Sequence, residues 1–499
     1  MRNKVQLITY VDRLSGGGFR ELQALLDGPL AGLFGGAHLL PFFHPIDGAD
    51  AGFDPIDHTQ TDPRLGSWQD LRRLAEGRDL MADLIVNHVS IRSPQFEDFC
   101  SKGAASPFVD LFLTFDRVFP NGATEADLLQ VYRLRPNLPF TAMQMKDGGE
   151  RLLWTTFTSG QIDIDVLSSA GKAYLAQILN QFQASGVHAI RLDAAGFAIK
   201  KAGTSCFMLP ETFDFIGALA AQAHALGIEV LVEMHGHPQD QIQLARQVDW
   251  VYDFALPPLV LHALYTHSAG PLKNWLAMSP RNAVTVLDTH DGIGVTDVGP
   301  VRKNEELLPG LLNSSEIANL VETIHRRSNG GSRQASGTEA GNLDVSQVNC
   351  TFYEALGRND EEYLIARALQ FFAPGVPQVY YVGLLAGAND MALLRRTSEG
   401  RDINRHYYSA QEVEAESQRP VVRRLFELIR FRNTHAAFAG EFNLLPGTDQ
   451  DVYIEWRNGS QRARLEVDLK AMRGAITYSE DGGEGRLVLV PGASQGVVR

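Results

Sequence analysis

The chain has 499 residues, 44% of them hydrophobic and 21% charged, the balance of a soluble globular protein with room for a large core. A formal net charge of −14 argues against nucleic acid or an anionic membrane as the main partner, and it requires any anionic substrate to meet a locally basic site. Cys100, Cys206 and Cys350 show neither CxxC nor metal spacing and read as thiols of a reducing compartment. Residues 1–6 lead straight into strand-like sequence and no apolar run approaches membrane-spanning length, so a cytoplasmic location is expected.

Apolar runs of strand length alternate with helical patterns along most of the chain. Residues 5–11 form the first run, followed by an amphipathic stretch at 19–26. The runs 37–43 and 80–86 come next, with a helical pattern at 68–74 between them. Runs at 187–192 and 230–233 follow, the second after an alanine-rich helix at 216–226. Residues 250–256, 283–287 and 376–382 complete a set of eight. Such alternation implies parallel pairing through right-handed crossovers, and eight units close a barrel. No GxGxxG turn follows the first run, which favours the barrel over an open doubly wound sheet.

The predicted fold is therefore α/β: a (β/α)8 TIM barrel with two inserted subdomains over the catalytic face and a C-terminal antiparallel β domain. The barrel is expected at 1–87, 168–292 and 358–437. The insertions are expected at 88–167 and 293–357, and the β domain at 438–499. Both insertions answer to connections too long for a crossover helix, and both leave the barrel on its catalytic face. The second holds a polar, glycine-rich run at 328–342 that predicts a mobile loop. After a long helix at 420–432 the pattern turns to period two, at Val452, Ile454 and Trp456, then at Ala463, Leu465, Val467 and Leu469, then at Leu487 and Leu489.

The chemistry concentrates at residues 186–195, GVHAIRLDAA. This is a buried parallel strand by pattern, ending in Arg191 and Asp193 on one face. The neighbouring guanidinium predicts an ionised Asp193, able to act as a nucleophile. A structural ion pair is the other reading of the same two residues. Three further strand ends carry polar groups: residues 83–88 (DLIVNH), Glu233 with His235 behind it, and residues 287–291 (LDTHD). Each alone reads equally as a satisfied turn or a loop hydrogen bond. All four lie at the carboxyl ends of barrel strands, the rim where barrel catalysis sits.

The order DxxxNH, GxRxDA, strand-end Glu and strand-end HD resembles the α-amylase superfamily of retaining α-glycosidases, glycoside hydrolase family 13. Over essentially its whole length the chain is similar to the sucrose phosphorylase subgroup. The segments 5–10 (VQLITY), 47–58 (DGADAGFDPIDH), 202–207 (AGTSCF), 286–294 (VLDTHDGIG) and 400–408 (GRDINRHYY) carry that likeness. It implies reversible transfer of glucose from sucrose to phosphate, giving α-glucose 1-phosphate and fructose through a β-glucosyl-enzyme.

The resemblance also implies roles. Asp193 is the nucleophile, Glu233 the acid/base and Asp291 the third acid. His88, Arg191 and His290 bind sugar hydroxyls, and Asp50 and Arg401 close the far end of a single-glucose subsite. Phe53 and Phe157 flank the ring, although a phenylalanine is by default core. Arg135, helped by Tyr132 and His235, meets phosphate; from composition alone the YRLR run at 132–135 is a solvated basic turn. Asp344 and Gln347 face the fructosyl part. Ser346 and Phe197 stand where the subgroup carries tyrosine, which puts the acceptor side in question.

No cofactor and no metal is expected, since the superfamily's calcium-binding pattern is not traceable here. The chain is expected to act as a monomer or homodimer. Three alternatives stay open: a phosphorylase of glucosylglycerate, glucosylglycerol or sucrose 6′-phosphate; an α-glucosidase or transglucosidase; and a catalytically dead binding subunit, against which the retained Asp193, Glu233 and Asp291 speak.

Overall fold

The computed structural model describes residues 1–48, 50–133, 138–146, 148–303, 306–336, 347–480 and 483–490. Eight parallel strands close a barrel in sequence order. They are β1 (Gln6–Thr9), β2 (Gly36–Leu39), β3 (Asp79–Ile85) and β4 (Ala189–Asp193), then β5 (Glu229–Val232), β6 (Trp250–Asp253), β7 (Ala283–Thr285) and β8 (Val376–Tyr380). Each overlaps one of the eight apolar runs. Most strands end before their runs do, because the residues that follow are buried without joining the ladder. Leu40, Phe42, Val286, Leu287 and Val382 are all at most 1% exposed and pack the loops down onto the barrel rim.

At least one helix fills each crossover, and polar caps fix where several begin. Ser67 and Asp70 form a capping box at the start of Trp68–Leu74, and the Ser168 side chain accepts from Gly171 N at the start of Ser169–Ala184. Proline at the first turn starts Pro210–Ala225 and Pro420–Thr434, where its missing N–H costs no hydrogen bond. The larger hydrophobic cluster lies between these helices and the barrel. The barrel's own lumen is mixed. Met81, Ala189, Leu231, Tyr252 and Val284 pack together beside the buried polar side chains Gln6, His38, Asp83, Arg191 and Gln378. His38 Nε2 lies 3.0 Å from Asp83 Oδ2, and Tyr252 donates to Gln378 Oε1 at 3.0 Å, so this column is largely hydrogen-bonded.

Between β3 and β4 the chain forms helices such as Pro94–Lys102, the hairpin Phe140–Gln144 with Glu150–Trp154, and the antiparallel pair His88–Ser90 with Gln161–Asp163. Between β7 and β8 it pairs Ile293–Gly294 with Gln347–Val348 and adds the helix Ser314–Arg327. The run expected as a mobile loop is in part a helix, Gly331–Ser336. Ser332 Oγ, 2.7 Å from both His325 Nδ1 and Ser328 Oγ, gives this polar sequence the local partners a helix start needs. Residues 337–342 lie outside the described residues.

The C-terminal sheet has five antiparallel strands in order: β9 (Glu441–Leu445), β10 (Asp451–Asn458), β11 (Gln461–Asp468), β12 (Arg473–Glu480) and β13 (Gly483–Val490). The sequence pattern marks β10, β11 and β13. It misses β9, an edge strand with no fully buried residue, and β12, whose pairing shifts register at Gly474/Ala475. Trp456 Nε1 donates to Phe372 O at 2.9 Å and ties this sheet to the last crossover helix. Among the described residues no helix is long and apolar enough to cross a membrane.

Candidate active site

Strand ends β3, β4 and β5 meet at Arg191, which is 1% exposed. In the ladder Arg191 sits opposite Asp83 on one side and Leu231 on the other. Its Nη1 binds Asp83 and, at 3.0 Å, Asp193 Oδ1, while Nη2 reaches Glu233 Oε1 at 2.5 Å. One guanidinium therefore joins three carboxylates from three neighbouring strands. Ala194, directly after Asp193, has φ +56°, a conformation disfavoured for a residue with a Cβ and found where a site dictates the backbone.

The charge state of Asp193 differs from the sequence expectation. Burial raises its pKa well above the usual carboxylate range; Arg191 opposes this, and Glu233, Asp83 and Asp291 add to it. The guanidinium is shared too widely to keep every acid ionised.

Opposite this pair, the turn after β7 presents His290 and Asp291. Gly292 permits it: φ is +100°, and a Cβ there would lie 2.6 Å from Val348 O. Asp291 Oδ1 accepts from Arg401 Nη1 at 3.0 Å, and the other terminal nitrogen of Arg401 binds Asp50. Burial alone would raise the pKa of Asp291, but His290, Arg401, Arg405 and Arg191 hold it below the usual range. His290 is itself pushed down to about 3 by burial, so the arginines carry that effect near neutral pH. The ring of His290 stacks on Phe53, with centroids 4.8 Å apart and planes 7° apart. His88 is buried, which lowers its pKa, and its Nε2 lies 2.9 Å from Phe53 O and 3.2 Å from Gln161 Nε2. Phe157 approaches His88 edge-on at 5.2 Å. Asp50, Phe53, His88, Phe157, Arg191, His290 and Arg401 thus fall into one linked set with the three acids.

A second group lies beyond Glu233. His235 Nε2 is 3.9 Å from Glu233 Oε1 and 3.3 Å from Gln347 Nε2, and its ring stacks on Phe254 at 4.2 Å. Phe197 joins Phe157 (5.3 Å) to Phe207 (4.6 Å), and Tyr132 stacks on Phe207 at 4.6 Å. Arg135, Asp344 and Ser346 lie outside the described residues.

Several contributors were not singled out from the sequence. Asp83 was visible as the first residue of DxxxNH, but its partner was not. Lys200 and Asp297 gave no signal, since each acts through residues distant in the chain. Lys200 Nζ, buried, binds Asn87 Oδ1 at 2.6 Å, Asp163 Oδ2 at 2.6 Å and Phe197 O. Among the described residues no cluster of three or more His, Cys, Asp or Glu is arranged to hold a metal ion.

No family model matches the chain, but individual proteins do. It is 59% identical over 479 residues to a sucrose phosphorylase of Agrobacterium vitis, covering 96% of this chain and 98% of the relative. It is 52% identical over 470 residues to a sucrose phosphorylase of Bifidobacterium adolescentis, covering 94% and 93%. The crystal structure of a sucrose 6F-phosphate phosphorylase from Thermoanaerobacter thermosaccharolyticum superposes with a TM-score of 0.90 at 39% identity, over 98% of both chains. With such identity sustained over nearly the full length, and with a barrel whose strand ends carry the site just described, the chain belongs to the sucrose phosphorylase family.

Proposed function

We propose that the protein is a retaining glucosyltransferase that reversibly phosphorolyses sucrose to α-D-glucose 1-phosphate and D-fructose. One observation carries the reading: Asp193 and Glu233, on neighbouring strand ends, share the Arg191 guanidinium across from the Arg401 bridge between Asp50 and Asp291. The close spacing of a retaining pair, about 5–5.5 Å, is open to two carboxylates so placed. The Arg401 bridge is read as the closed far end of a single-glucose subsite. The names of the relatives support sucrose and phosphate as substrates.

In the productive form Asp193 is ionised and Glu233 carries a proton. Asp193 attacks the anomeric carbon while Glu233 gives its proton to the departing fructosyl oxygen. Hydrogen phosphate then attacks the glucosyl-enzyme from the vacated side, its proton passes to Glu233, and the bond to Asp193 breaks. Two inversions give net retention. Asp291 and its arginines hold sugar hydroxyls as positive charge develops on the ring. Arg135, Tyr132 and His235 receive phosphate, and Asp344, Ser346, Gln347 and Phe197 border the acceptor. In this reading 1–87, 168–292 and 358–437 form the catalytic barrel, 88–167 and 293–357 complete the acceptor side, and 438–499 is the β domain. The free thiols of Cys100, Cys206 and Cys350 fit a cytoplasmic setting.

The test is sucrose with and without phosphate. Glucose 1-phosphate formed only with phosphate is expected; release of glucose at the same rate in both would overturn the reading. Phe197, an apolar ring between Phe157 and Phe207, leaves one variant of it open, a related phosphorylase with the same donor site. Offering fructose, fructose 6-phosphate, glycerol and glycerate against glucose 1-phosphate decides between them. A preference for glycerol or glycerate above about tenfold, roughly 1.4 kcal/mol of transition-state energy, would displace sucrose.

A further inference from the structure

His235 does not stand alone on the phosphate side. Behind it lies Asp297, 2% exposed, in the single 3-10 turn Thr296–Val298. Asp297 Oδ2 is 3.1 Å from His235 Nδ1, and its Oδ1 accepts from Gly236 N at 2.8 Å. Both oxygens are therefore committed to one short segment. Gly294 makes room for this: a Cβ there would sit 2.7 Å from Asp297 Oδ2. The imidazole is fixed on one face as well, stacked on Phe254 with planes 12° apart. A carboxylate on Nδ1 keeps a proton there, so Nε2 alone points toward Glu233 and Gln347.

Resting on the phosphorolysis reading above, we infer that Asp297 is the positioning residue that holds His235 as an imidazolium, with its Nε2–H aimed at the incoming phosphate. The chain thereby gains a fixed positive charge on the acceptor side of Glu233, against a net charge of −14. Among the described residues, the charged groups facing His235 are Asp297, Glu233 and, farther off, Asp291. Burial alone would lower the histidine's pKa; Asp297 first, then Glu233 and Asp291, outweigh that and raise it to about 9. In this state both ring nitrogens donate. The Gln347 amide must then offer its oxygen to Nε2, and an arriving phosphate oxygen competes for the same N–H. Water, a neutral acceptor, gains much less from that charge.

The experiment compares wild type with Asp297→Asn, with Asp297→Ser used if the first does not fold. The expected result is a rise of at least tenfold in the KM for phosphate. Phosphorolysis should also fall at least tenfold more than phosphate-free hydrolysis of sucrose. The ratio of variant to wild-type kcat/KM for phosphate should drop with pH at least one unit below the wild-type alkaline limb. That ratio cancels the titration of phosphate itself. In a His235→Gln background the Asp297 substitution should change the phosphate KM less than twofold, which a merely structural role does not predict. On the wild type alone, 15N spectra of labelled histidine, assigned through His235→Gln, should show His235 doubly protonated at pH 8.

A neutral His235 at pH 8, or unchanged phosphate KM and pH limb in the variant, overturns the inference. If the wild type forms no glucose 1-phosphate from sucrose and phosphate, the parent reading fails first, so the two failures are distinguishable.

Discussion

Arg191 meets three carboxylates with one positive charge, and burial outweighs it at Asp193. In the proposed reaction Glu233 is the acid of the first step and the base of the second. Replacing Glu233 with Gln keeps the shape and removes the proton. Turnover of sucrose should fall by about 10³-fold or more, while glucosyl fluoride, whose leaving group needs no proton, still glucosylates Asp193. Azide should then rescue the second step. Equal loss on both donors without rescue would remove Glu233 from this role. At this scale the sequence shows which acids end strands, because a glycine, an apolar run and a terminal charge mark each end. It does not show that Arg191 also binds Asp83 and Glu233, or that burial outweighs Arg191 at Asp193, since both depend on neighbours across the ladder.

Elements meet through Lys200. Its ammonium joins Asn87 at the end of β3, Asp163 in the pair His88–Ser90 with Gln161–Asp163, and the carbonyl of Phe197 after β4. His88 is the ladder partner of Asp163, so this contact also sets a residue of the candidate sugar site. Lys200→Met should leave Asp163 buried with, among the described residues, its Thr156 hydrogen bonds alone. Losing one partner of a buried pair costs about 3–5 kcal/mol. Denaturant unfolding should show that loss, and the KM for sucrose should rise as His88 loses its register. An unchanged midpoint and KM would mean that the clamp is dispensable. No sequence pattern announces such a clamp, because Lys200 and Asn87 lie 113 residues apart. Of the elements that it joins, β3 and β4 were legible, since periodicity is local and the clamp is not; the pair His88–Ser90 with Gln161–Asp163 was not. The same limit hid β9 and β12 in the C-terminal sheet, where exposure at the edge and a register shift blur the alternation.

At the scale of the whole molecule, the barrel order was readable because each strand is buried on both faces and separated by a helix. The polar lumen was not, because its members are single residues on different strands. A buried acid on the opposite face of a barrel strand, toward the surrounding helices, has a global consequence. Asp253, at the end of β6 and 1% exposed, accepts from Trp275 Nε1 at 2.8 Å and from Leu256 N at 3.0 Å through Oδ1. Among the described residues its buried Oδ2 has no hydrogen-bond partner. Burial, only partly offset by these bonds, pushes its pKa up to about 7. An unfolded aspartate titrates near 4, so below about pH 4 both states hold the proton and the group contributes no pH dependence. Between about pH 4 and 7 the unfolded state gives up its proton while the folded state keeps it, and stability falls as pH rises. Above about pH 7 the penalty is constant. Asp253→Asn keeps the Oδ1 acceptor and cannot ionise, so its stability relative to wild type should climb across that window by a few kcal/mol, on the order of 1.4 kcal/mol per pH unit at most. Melting temperatures of both proteins from pH 4 to pH 8.5 measure this directly. A difference that stays flat over the window would show that Asp253 is not the group that charges.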